Sequence, residues 1–240
     1  MSIQHELAKL AWKIGYSISR FTPATHPIAR RKQILASHKI DTILDIGANS
    51  GQFARQMRSD IGFTNRILSF EPLSSAYKLL KSNAKNDPAW EVFNFAIGET
   101  EEEREINIAE NSESSSLLSM LPAHLKSAPD SNYIGKETIK IKTLDSLFSD
   151  LCGTAQNIYM KIDTQGFESQ VLKGAEKSLP KINTVQMEMS LVPLYEGELL
   201  FNEMLMLMGN KGYTLIAIEN GFSDPASGQL LQVDGIFHRF

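Results

Sequence analysis

Two glycines and two acidic residues stand near the ends of neighbouring apolar segments, a pattern that suits binding of a nucleotide-like small molecule. Asp45 lies in the apolar run 42–46, and Gly47 and Gly51 bracket the polar turn that follows it. Glycines after a strand let backbone N–H groups and a helix N-terminus approach a ligand closely. Glu71 follows the next apolar run, about twenty residues past the turn, where dinucleotide-type folds place an acid on the ribose hydroxyls.

The turn by itself leaves several cofactors open, because a glycine turn followed by an acid can bind NAD, FAD or S-adenosylmethionine. The NAD fingerprint has its second and third glycines where this chain has Asn49 and Gln52, which weakens the dinucleotide interpretation. A P-loop requires Gly-Lys-Ser or Gly-Lys-Thr, but Gln52 follows Gly51. Hydrolysis of nucleoside triphosphates therefore has no support in the sequence.

Strand-like and helix-like segments alternate from residue 42 onward, which predicts βαβ units and an α/β fold with a mainly parallel sheet. Turn signals at Asn220-Gly221 and Asp224-Pro225 predict that the chain ends in a hairpin. Ser74 is the expected N-cap of its helix. The predicted strands are 42–46, 66–70, 90–95, 139–143, 158–163, 184–188, 213–218 and 233–240, and the main predicted helices are 74–86, 144–151, 167–178 and 200–208.

Residues 99–138 interrupt this alternation. They combine an acidic run at 101–103 with a serine-rich stretch at 112–119. Loops of this composition commonly lie over the carboxyl edge of a sheet and contact substrate, so we expect an insertion there. The acidic run is expected to be a solvated surface rather than a metal site.

The first forty residues differ in charge from the rest of the chain. They hold seven basic residues and one acidic residue, a net charge of +6, which leaves −10 for the remainder because the whole chain carries −4. Apolar residues recur at helical spacing and predict an amphipathic helix with a basic flank: Ile3, Leu7, Leu10, Ile14 and Ile18. The helix is expected to pack on its own domain, with contact to an anionic membrane or a partner as the alternative.

Composition narrows the class of protein. A chain of 240 residues that is 42% hydrophobic can bury one substantial core, and its pI near 5.8 provides no basic field for nucleic acid. Cys152 is the only cysteine, which excludes an intrachain disulfide and favours a reducing compartment. No apolar run approaches the roughly eighteen residues that span a bilayer, and a secretory signal is not apparent. We expect a cytoplasmic protein, with peripheral membrane contact left open.

Several motifs in a fixed order resemble the FkbM family of S-adenosylmethionine-dependent methyltransferases. The resemblance covers residues 40–238, so the chain divides into a basic helical extension at 1–40 and a methyltransferase domain at 41–240. The motifs that carry it are Asp45-Ile46-Gly47-Ala48-Asn49-Ser50-Gly51, Phe70-Glu71-Pro72 and Lys161-Ile162-Asp163-Thr164-Gln165-Gly166-Phe167-Glu168. It implies a Rossmann-like class I methyltransferase fold, in which a seven-stranded sheet with an antiparallel last strand carries helices on both faces.

The resemblance also implies roles for the residues around the turn. S-adenosyl-L-methionine would lie across the carboxyl ends of the first strands, with Gly47, Asn49 and Gly51 in the turn that passes its methionine portion. Asp45 would organise that turn or the ammonium group of the donor. Glu71 would accept hydrogen bonds from both ribose hydroxyls, and two further residues would lie near the adenine, Asn94 and Ala96.

For the chemistry, the resemblance suggests O-methylation of a sugar hydroxyl in a glycan, a glycolipid or a secondary metabolite. A hydroxyl is a weak nucleophile that a base or a metal ion activates. Asp163, at the end of a buried strand, is the first candidate for base or magnesium ligand, unless it only caps the following helix. Glu188 is the second. Gln165 stands where the family commonly has glutamate, and Lys161 requires an ionic partner, which could be Glu188 or the substrate.

Two alternatives remain open in the sequence. The first is a methyltransferase that acts on RNA or on bases, which the acidic pI disfavours. Amino-methylating enzymes of that kind usually have Asp/Asn-Pro-Pro-Tyr where this chain has Asp163-Thr164-Gln165-Gly166. A non-catalytic, donor-binding scaffold protein is the other. The acceptor, the methylated position and the oligomeric state are not determined by the sequence.

Overall fold

The structure, a computed structural model, describes residues 3–240, with helices and strands that alternate along most of the chain. The α-helices are α1 Ile3–Lys13, α2 Pro27–Ser37, α3 Gln52–Gln56, α4 Ser74–Ala84, α5 Pro122–Ser127, α6 Leu144–Cys152, α7 Glu168–Lys173 and α8 Phe201–Asn210. The strands are β1 Thr42–Ile46, β2 Arg66–Phe70, β3 Trp90–Phe93, β4 Ala96–Ile97, β5 Glu102–Ala109, β6 Tyr133–Lys142, β7 Ile158–Ile162, β8 Thr184–Ser190, β9 Thr214–Asn220 and β10 Gln232–His238.

Seven of these strands form one sheet in the order β3-β2-β1-β7-β8-β10-β9. Strands β3, β2, β1, β7 and β8 are parallel, whereas β10 runs antiparallel to both β8 and β9. The strand order reverses beside β1, and the crevice at such a reversal is where open α/β sheets bind ligands. The α/β class and the antiparallel last strand are confirmed.

The central strands are apolar because helices cover both faces of the sheet. All five residues of β1 and all five of β7 are buried, as expected for parallel strands between two helical layers. One core cluster contains residues of α6, α7 and α8, and the other contains residues of α2, α3 and α4. Leu44 belongs to the first cluster and Ile43 to the second, so neighbouring residues of β1 face opposite layers.

The predicted strand at 90–95 is shorter in the structure, and the residues that follow it form a separate strand in another sheet. β3 ends at Phe93, while β4 pairs with β6 in a separate sheet ordered β4-β6-β5. The predicted insertion is therefore largely a hairpin, since β5 and β6 pair antiparallel over most of their length. The first half of β6 has no buried residue, so backbone pairing rather than an apolar pattern forms it. Only its apolar end was visible in the sequence.

The prediction that Ser74 is the N-cap of α4 is wrong, because Leu73 occupies that position. The Ser74 backbone N–H and hydroxyl donate instead to the Glu137 carboxylate of β6, at 3.0 and 2.5 Å. A side chain distant in sequence thus satisfies the first turn of the helix, a partner that local sequence cannot identify.

Two helices, rather than one, precede the sheet. α1 ends earlier than predicted because Gly15 adopts φ +82°, and the Tyr16 N–H donates to the Ala11 carbonyl at 2.9 Å, the bond of a Schellman motif. α2 packs on the sheet through Ala29, Ile34 and Leu35. The prediction that the apolar face of the first helix packs on its own domain is wrong, because Leu7 and Leu10 are exposed. No helix between residues 3 and 240 has both the length and the apolar character to cross a bilayer.

Candidate active site

A cleft opens at the carboxyl ends of β1 and β2. The empty space of this cleft, including its open mouth, is about 550 Å³. Apolar side chains of β1, β2, β4 and β5 form much of the wall, with polar residues from the turns after β1, β2, β5 and β7. The lining residues are Ile46, Gly47, Asn49, Phe70, Glu71, Pro72, Leu73, Ala96, Ile97, Ile106, Ser112, Glu113, Ser115, Leu117, Thr164 and Phe167.

The two glycines after β1 are required by close packing. Gly47 has φ +79°, and a Cβ there would lie 1.8 Å from the Asp163 carbonyl oxygen. Gly51 has φ +88°, and its Cβ would lie 2.7 Å from Trp90. Both positions therefore exclude other residues on grounds of sterics and of backbone conformation. Gly47 lines the cleft, whereas Gly51 packs behind the turn at the start of α3.

Glu71 places a buried carboxylate on the cleft wall. Its Oε2 accepts from the Asn49 N–H and its Oε1 from the Leu73 N–H, both at 2.8 Å. Burial raises the pKa of Glu71 to about 7, although the two backbone N–H groups favour the charged form. The carboxylate thus links the turn after β1 to the turn after β2. It can accept further hydrogen bonds, since each oxygen has two lone pairs.

A loop of the β5–β6 connection closes one side of the cleft. The Asn49 side-chain amide donates to the Ser112 hydroxyl at 3.2 Å, and the Gln52 amide donates to Glu113 at 3.0 Å. Asn49 and Ser112 both have left-handed backbones, with φ 45° and 57°. The serine-rich composition indicated this loop, but the lining residues Ser112, Ser115 and Leu117 could not be separated from their neighbours by sequence alone.

Of the two residues predicted to lie near the adenine, Asn94 and Ala96, the second contributes to the cleft wall and the first does not. Ala96 lines the cleft. The Asn94 amide instead donates to the carbonyls of Glu71 and Pro72, at 3.0 and 2.9 Å, so it fixes the turn that presents Glu71. Asn94 is outside the cleft lining.

Asp45 is fully buried in an ionic cluster outside the cleft lining. Its Oδ2 accepts from the Ser69 hydroxyl at 3.0 Å, and its Oδ1 lies 3.8 Å from Lys161 Nζ. Lys161 Nζ also lies 3.0 Å from Asp163 Oδ2. Burial opposes the charge of Lys161, but Asp163 and Asp45 outweigh it and raise the lysine pKa. The ionic partners of Lys161 are therefore these two aspartates and not Glu188, which the sequence had suggested.

Gln165 joins the two candidate bases. Its Nε2 donates to Asp163 Oδ1 at 2.8 Å and to Glu188 Oε2 at 3.0 Å, and its Oε1 accepts from the Tyr195 hydroxyl at 2.7 Å. Because carboxylate oxygens accept hydrogen bonds whereas a tyrosine hydroxyl can donate or accept, the two acids determine that the amide nitrogen faces them. Gln165 also has a left-handed backbone, φ 55°.

The two acids differ in their surroundings. The Asp163 side chain is 36% exposed and precedes Thr164 of the cleft lining, and it does not cap α7, which has no side-chain cap. Glu188 lies within β8 rather than at its end. Burial, together with the charges of Asp163 and Asp234, raises the Glu188 pKa well above its usual range. Asp163 is the more accessible of the two.

The family follows from comparison of the sequence with known domains. The family model described as the methyltransferase FkbM domain matches residues 45–215, which include the cleft turns, the loop over the cleft and the Asp163–Glu188 pair. The chain belongs to the FkbM methyltransferase family. No curated protein sequence matches it.

Several solved structures resemble this FkbM domain at low identity. The methyltransferase FkbM from Methylobacillus flagellatus KT has 13% identity and a TM-score of 0.48 over 82% of this chain and 43% of that one. This chain thus spans less than half the length of that protein. Aeropyrum pernix fibrillarin with natively bound S-adenosyl-L-methionine has 11% identity and a TM-score of 0.45, over 81% and 66% of the two chains. An rRNA methylase from Streptococcus thermophilus has 9% identity and a TM-score of 0.47, over 90% of this chain and 97% of that one.

The polar groups of the FkbM domain do not form a magnesium site at Asp163. Magnesium takes oxygen ligands, but amide and ammonium groups that carry hydrogen already face both Asp163 oxygens. Glu188 Oε2 receives two amides, from Gln165 and Gln232. Across residues 3–240, no three His, Cys, Asp or Glu side chains are arranged to hold a metal ion. The donor set therefore does not fit the magnesium ligand role predicted for Asp163.

Proposed function

We propose that the protein is an S-adenosylmethionine-dependent O-methyltransferase whose acceptor is a hydroxyl of a sugar in a glycan, a glycolipid or a secondary metabolite. The observation that carries the donor assignment is the Glu71 carboxylate, buried on the cleft wall at the end of β2 and tied to the turn after β1. A methyltransferase family requires a methyl donor, and an acid at this position suits the two hydroxyls of a ribose.

The rest of the cleft fits an adenosyl group. Phe70, Leu73, Ala96 and Ile97 supply an apolar wall for a base. Glu71 would accept the ribose hydroxyls through charge-assisted hydrogen bonds. Gly47, whose missing side chain allows the turn to approach the end of β7, would leave room for the methionine portion. Asp45 and Gly51 support this turn from behind, and Asn94 supports the turn that carries Glu71.

When bound, the donor would supply a methyl group on a sulfonium, open to in-line attack by the acceptor oxygen. The protein must orient that hydroxyl and take its proton. Asp163 suits proton removal because it is partly exposed beside the cleft, while Lys161 and Gln165 fix its two oxygens. Glu188, held by the same Gln165 amide in a more buried position, is the second candidate for the base.

The proposal is tested by calorimetric titration with S-adenosylmethionine, followed by transfer of a labelled methyl group to glycan and glycolipid extracts with mass-spectrometric location of the product. We expect donor binding and a methylated sugar hydroxyl, and Asp163→Asn should lower kcat while donor affinity is retained. The matched control is Asp60→Asn, an exposed residue outside the cleft.

Two outcomes would assign the protein differently. If the protein methylates RNA but not carbohydrate, its acceptor is a nucleotide of RNA and not the sugar hydroxyl that we propose. If both the unaltered chain and Asp163→Asn bind the donor but neither transfers a methyl group to any acceptor, the protein is a donor-binding scaffold instead. Absence of donor binding would contradict the whole proposal.

A further inference from the structure

The first helix and the segment that follows it expose a run of large apolar side chains. They are between 55% and 69% exposed, in contrast to the buried core of the sheet. We call this set the N-terminal apolar surface, and it consists of Leu7, Leu10, Trp12, Ile14, Tyr16, Ile18 and Phe21. Four of them, Leu7, Leu10, Ile14 and Ile18, border one open space, and an exposed apolar surface of this kind commonly marks an interaction site.

The surface is shaped as a groove. The chain turns at Gly15, and Leu7, Leu10, Ile14 and Ile18 of the two arms line an open space of about 980 Å³. Among residues 5–13 of the helix, Ala11 is the one buried residue, whereas Leu7, Leu10 and Trp12 are exposed. The same chain buries the apolar face of the next helix, α2, through Ile34 and Leu35. Several exposed large apolar side chains thus occur together in residues 7–21.

Charge on this segment has the opposite sign to the rest of the protein. Lys9 and Lys13 lie on the helix, and Arg20 follows it. Glu6 is the only acidic residue among the first forty and pairs with Lys9 at 3.6 Å. Residues 1–21 therefore carry a net charge of +2 and the rest of the chain −6, since the whole chain carries −4. A negatively charged surface would therefore attract this end of the protein and repel the remainder.

The exposure and the charge of this segment indicate whether a second copy of the chain or a membrane covers the N-terminal apolar surface. A second copy paired through the same surface would present the same net basic segment to it, so charge does not favour that pairing. A bilayer with anionic lipids offers an apolar interior and a negative surface together. Trp12 and Tyr16 are the residue types that favour the boundary between the two. Other exposed apolar residues lie singly on separate elements and offer no comparable surface, for example Leu79 of α4 and Met206 of α8.

We propose that the N-terminal apolar surface binds reversibly to membranes that contain anionic lipids and holds the catalytic domain at the bilayer. The leucines and isoleucines would enter the boundary of the acyl chains, and Lys9 and Lys13 would remain at the head groups. This inference stands on the exposure and charge of the segment and does not depend on the identity of the acceptor.

The test is flotation of the full chain with vesicles of phosphatidylcholine, with and without phosphatidylglycerol, at low and high salt. We expect binding to the anionic vesicles that weakens as salt increases. Leu10→Glu should weaken it by about tenfold or more, because a buried leucine contributes about 2 kcal/mol. Lys13→Gln should weaken it by about fivefold, the value of one basic residue near an anionic surface.

The matched controls are Leu79→Glu and Met206→Glu, which place the same charge at exposed apolar residues elsewhere, and they should bind as the unaltered chain does. Circular dichroism melting checks that every variant is folded. No flotation at any lipid composition, or equal losses in Leu10→Glu and Leu79→Glu, would overturn the inference. So would a dimer in analytical ultracentrifugation that Leu10→Glu dissociates while vesicles bind neither form, since the occupant would then be a second copy.

Discussion

Protonation of Glu71 should control the affinity for the methyl donor. The carboxyl lies on the cleft wall, and burial raises its pKa from 4.5 to about 7. Ribose hydroxyls donate hydrogen bonds and so favour the ionised carboxylate. Binding of the donor should therefore require the ionised form and should strengthen as the pH rises towards 7 and beyond. Substitution of Glu71 by Gln removes both the charge and the titration.

The size of the effect follows from the pKa. With a value of about 7, about 3% of the carboxyls are ionised at about pH 5.5 and about 90% at about pH 8. Affinity should increase about thirtyfold across that range if only the ionised form binds. At the upper end, Glu71→Gln should weaken binding by about 2 to 3 kcal/mol, the cost of replacing hydrogen bonds to a charged group, which is about 30- to 150-fold.

The raised pKa also affects folding. Because the folded value lies above the unfolded one, Glu71 contributes stability that is fully present below about pH 4.5 and is lost as the pH rises through about 7. The shift corresponds to about 3 kcal/mol. Between about pH 4.5 and about pH 7, the free energy of unfolding should therefore fall less in Glu71→Gln than in the unaltered chain. Part of the loss should remain, since burial also raises the pKa of Glu168 to about 7.

Isothermal titration calorimetry across this pH range measures the affinity. Adenosine should be titrated beside S-adenosylmethionine, because it carries the ribose but no α-amino group, which itself titrates near 8. Glu113→Gln is the matched control, since Glu113 also lines the cleft but is exposed, and it should change affinity by less than about threefold. An affinity that is independent of pH, or the same pH profile in Glu71→Gln, would refute the role of Glu71.

Three further substitutions test other parts of the structure. Gly51→Ala should lower the free energy of unfolding by about 2 to 4 kcal/mol through strain and the clash with Trp90, whereas Gly62→Ala, with φ +77° and open space, should cost only about 1 kcal/mol in chemical denaturation. Gln165→Glu should replace the bridging amide by a third carboxylate, and methyl transfer should gain a response to magnesium and chelator that the unaltered chain lacks. Arg31→Met should destabilise the fold by about 3 to 5 kcal/mol in thermal melts, because Glu219, 2.5 Å from the guanidinium, would be left buried without its partner; an unchanged melting temperature would contradict this.

The sequence predicts those elements whose burial is complete and local. β1, β2 and β7 are read from continuous apolar runs because both of their faces are covered. The glycine turn and Glu71 are found because their spacing reflects adjacent parallel strands. In contrast, β4 and the first half of β6 depend on pairing with distant strands, which leaves no periodic pattern. The orientation of the first helix also could not be predicted, because an apolar stripe does not specify what covers it.

Backbone strain provides a separate indication of where this protein works. Within residues 3–240 four residues other than glycine have positive φ: Lys39, Asn49, Ser112 and Gln165. Asn49 and Ser112 are hydrogen-bonded where the loop closes one side of the cleft, and Gln165 joins the two candidate bases. Such conformations cost of order 1 to 3 kcal/mol each and persist where surrounding contacts enforce them. Sequence spacing could not reveal them, since asparagine, serine and glutamine carry no obligatory conformation. Because three of the four surround the cleft and the acidic pair, the fold stores its local strain where donor and acceptor would meet, as expected of a preorganised site.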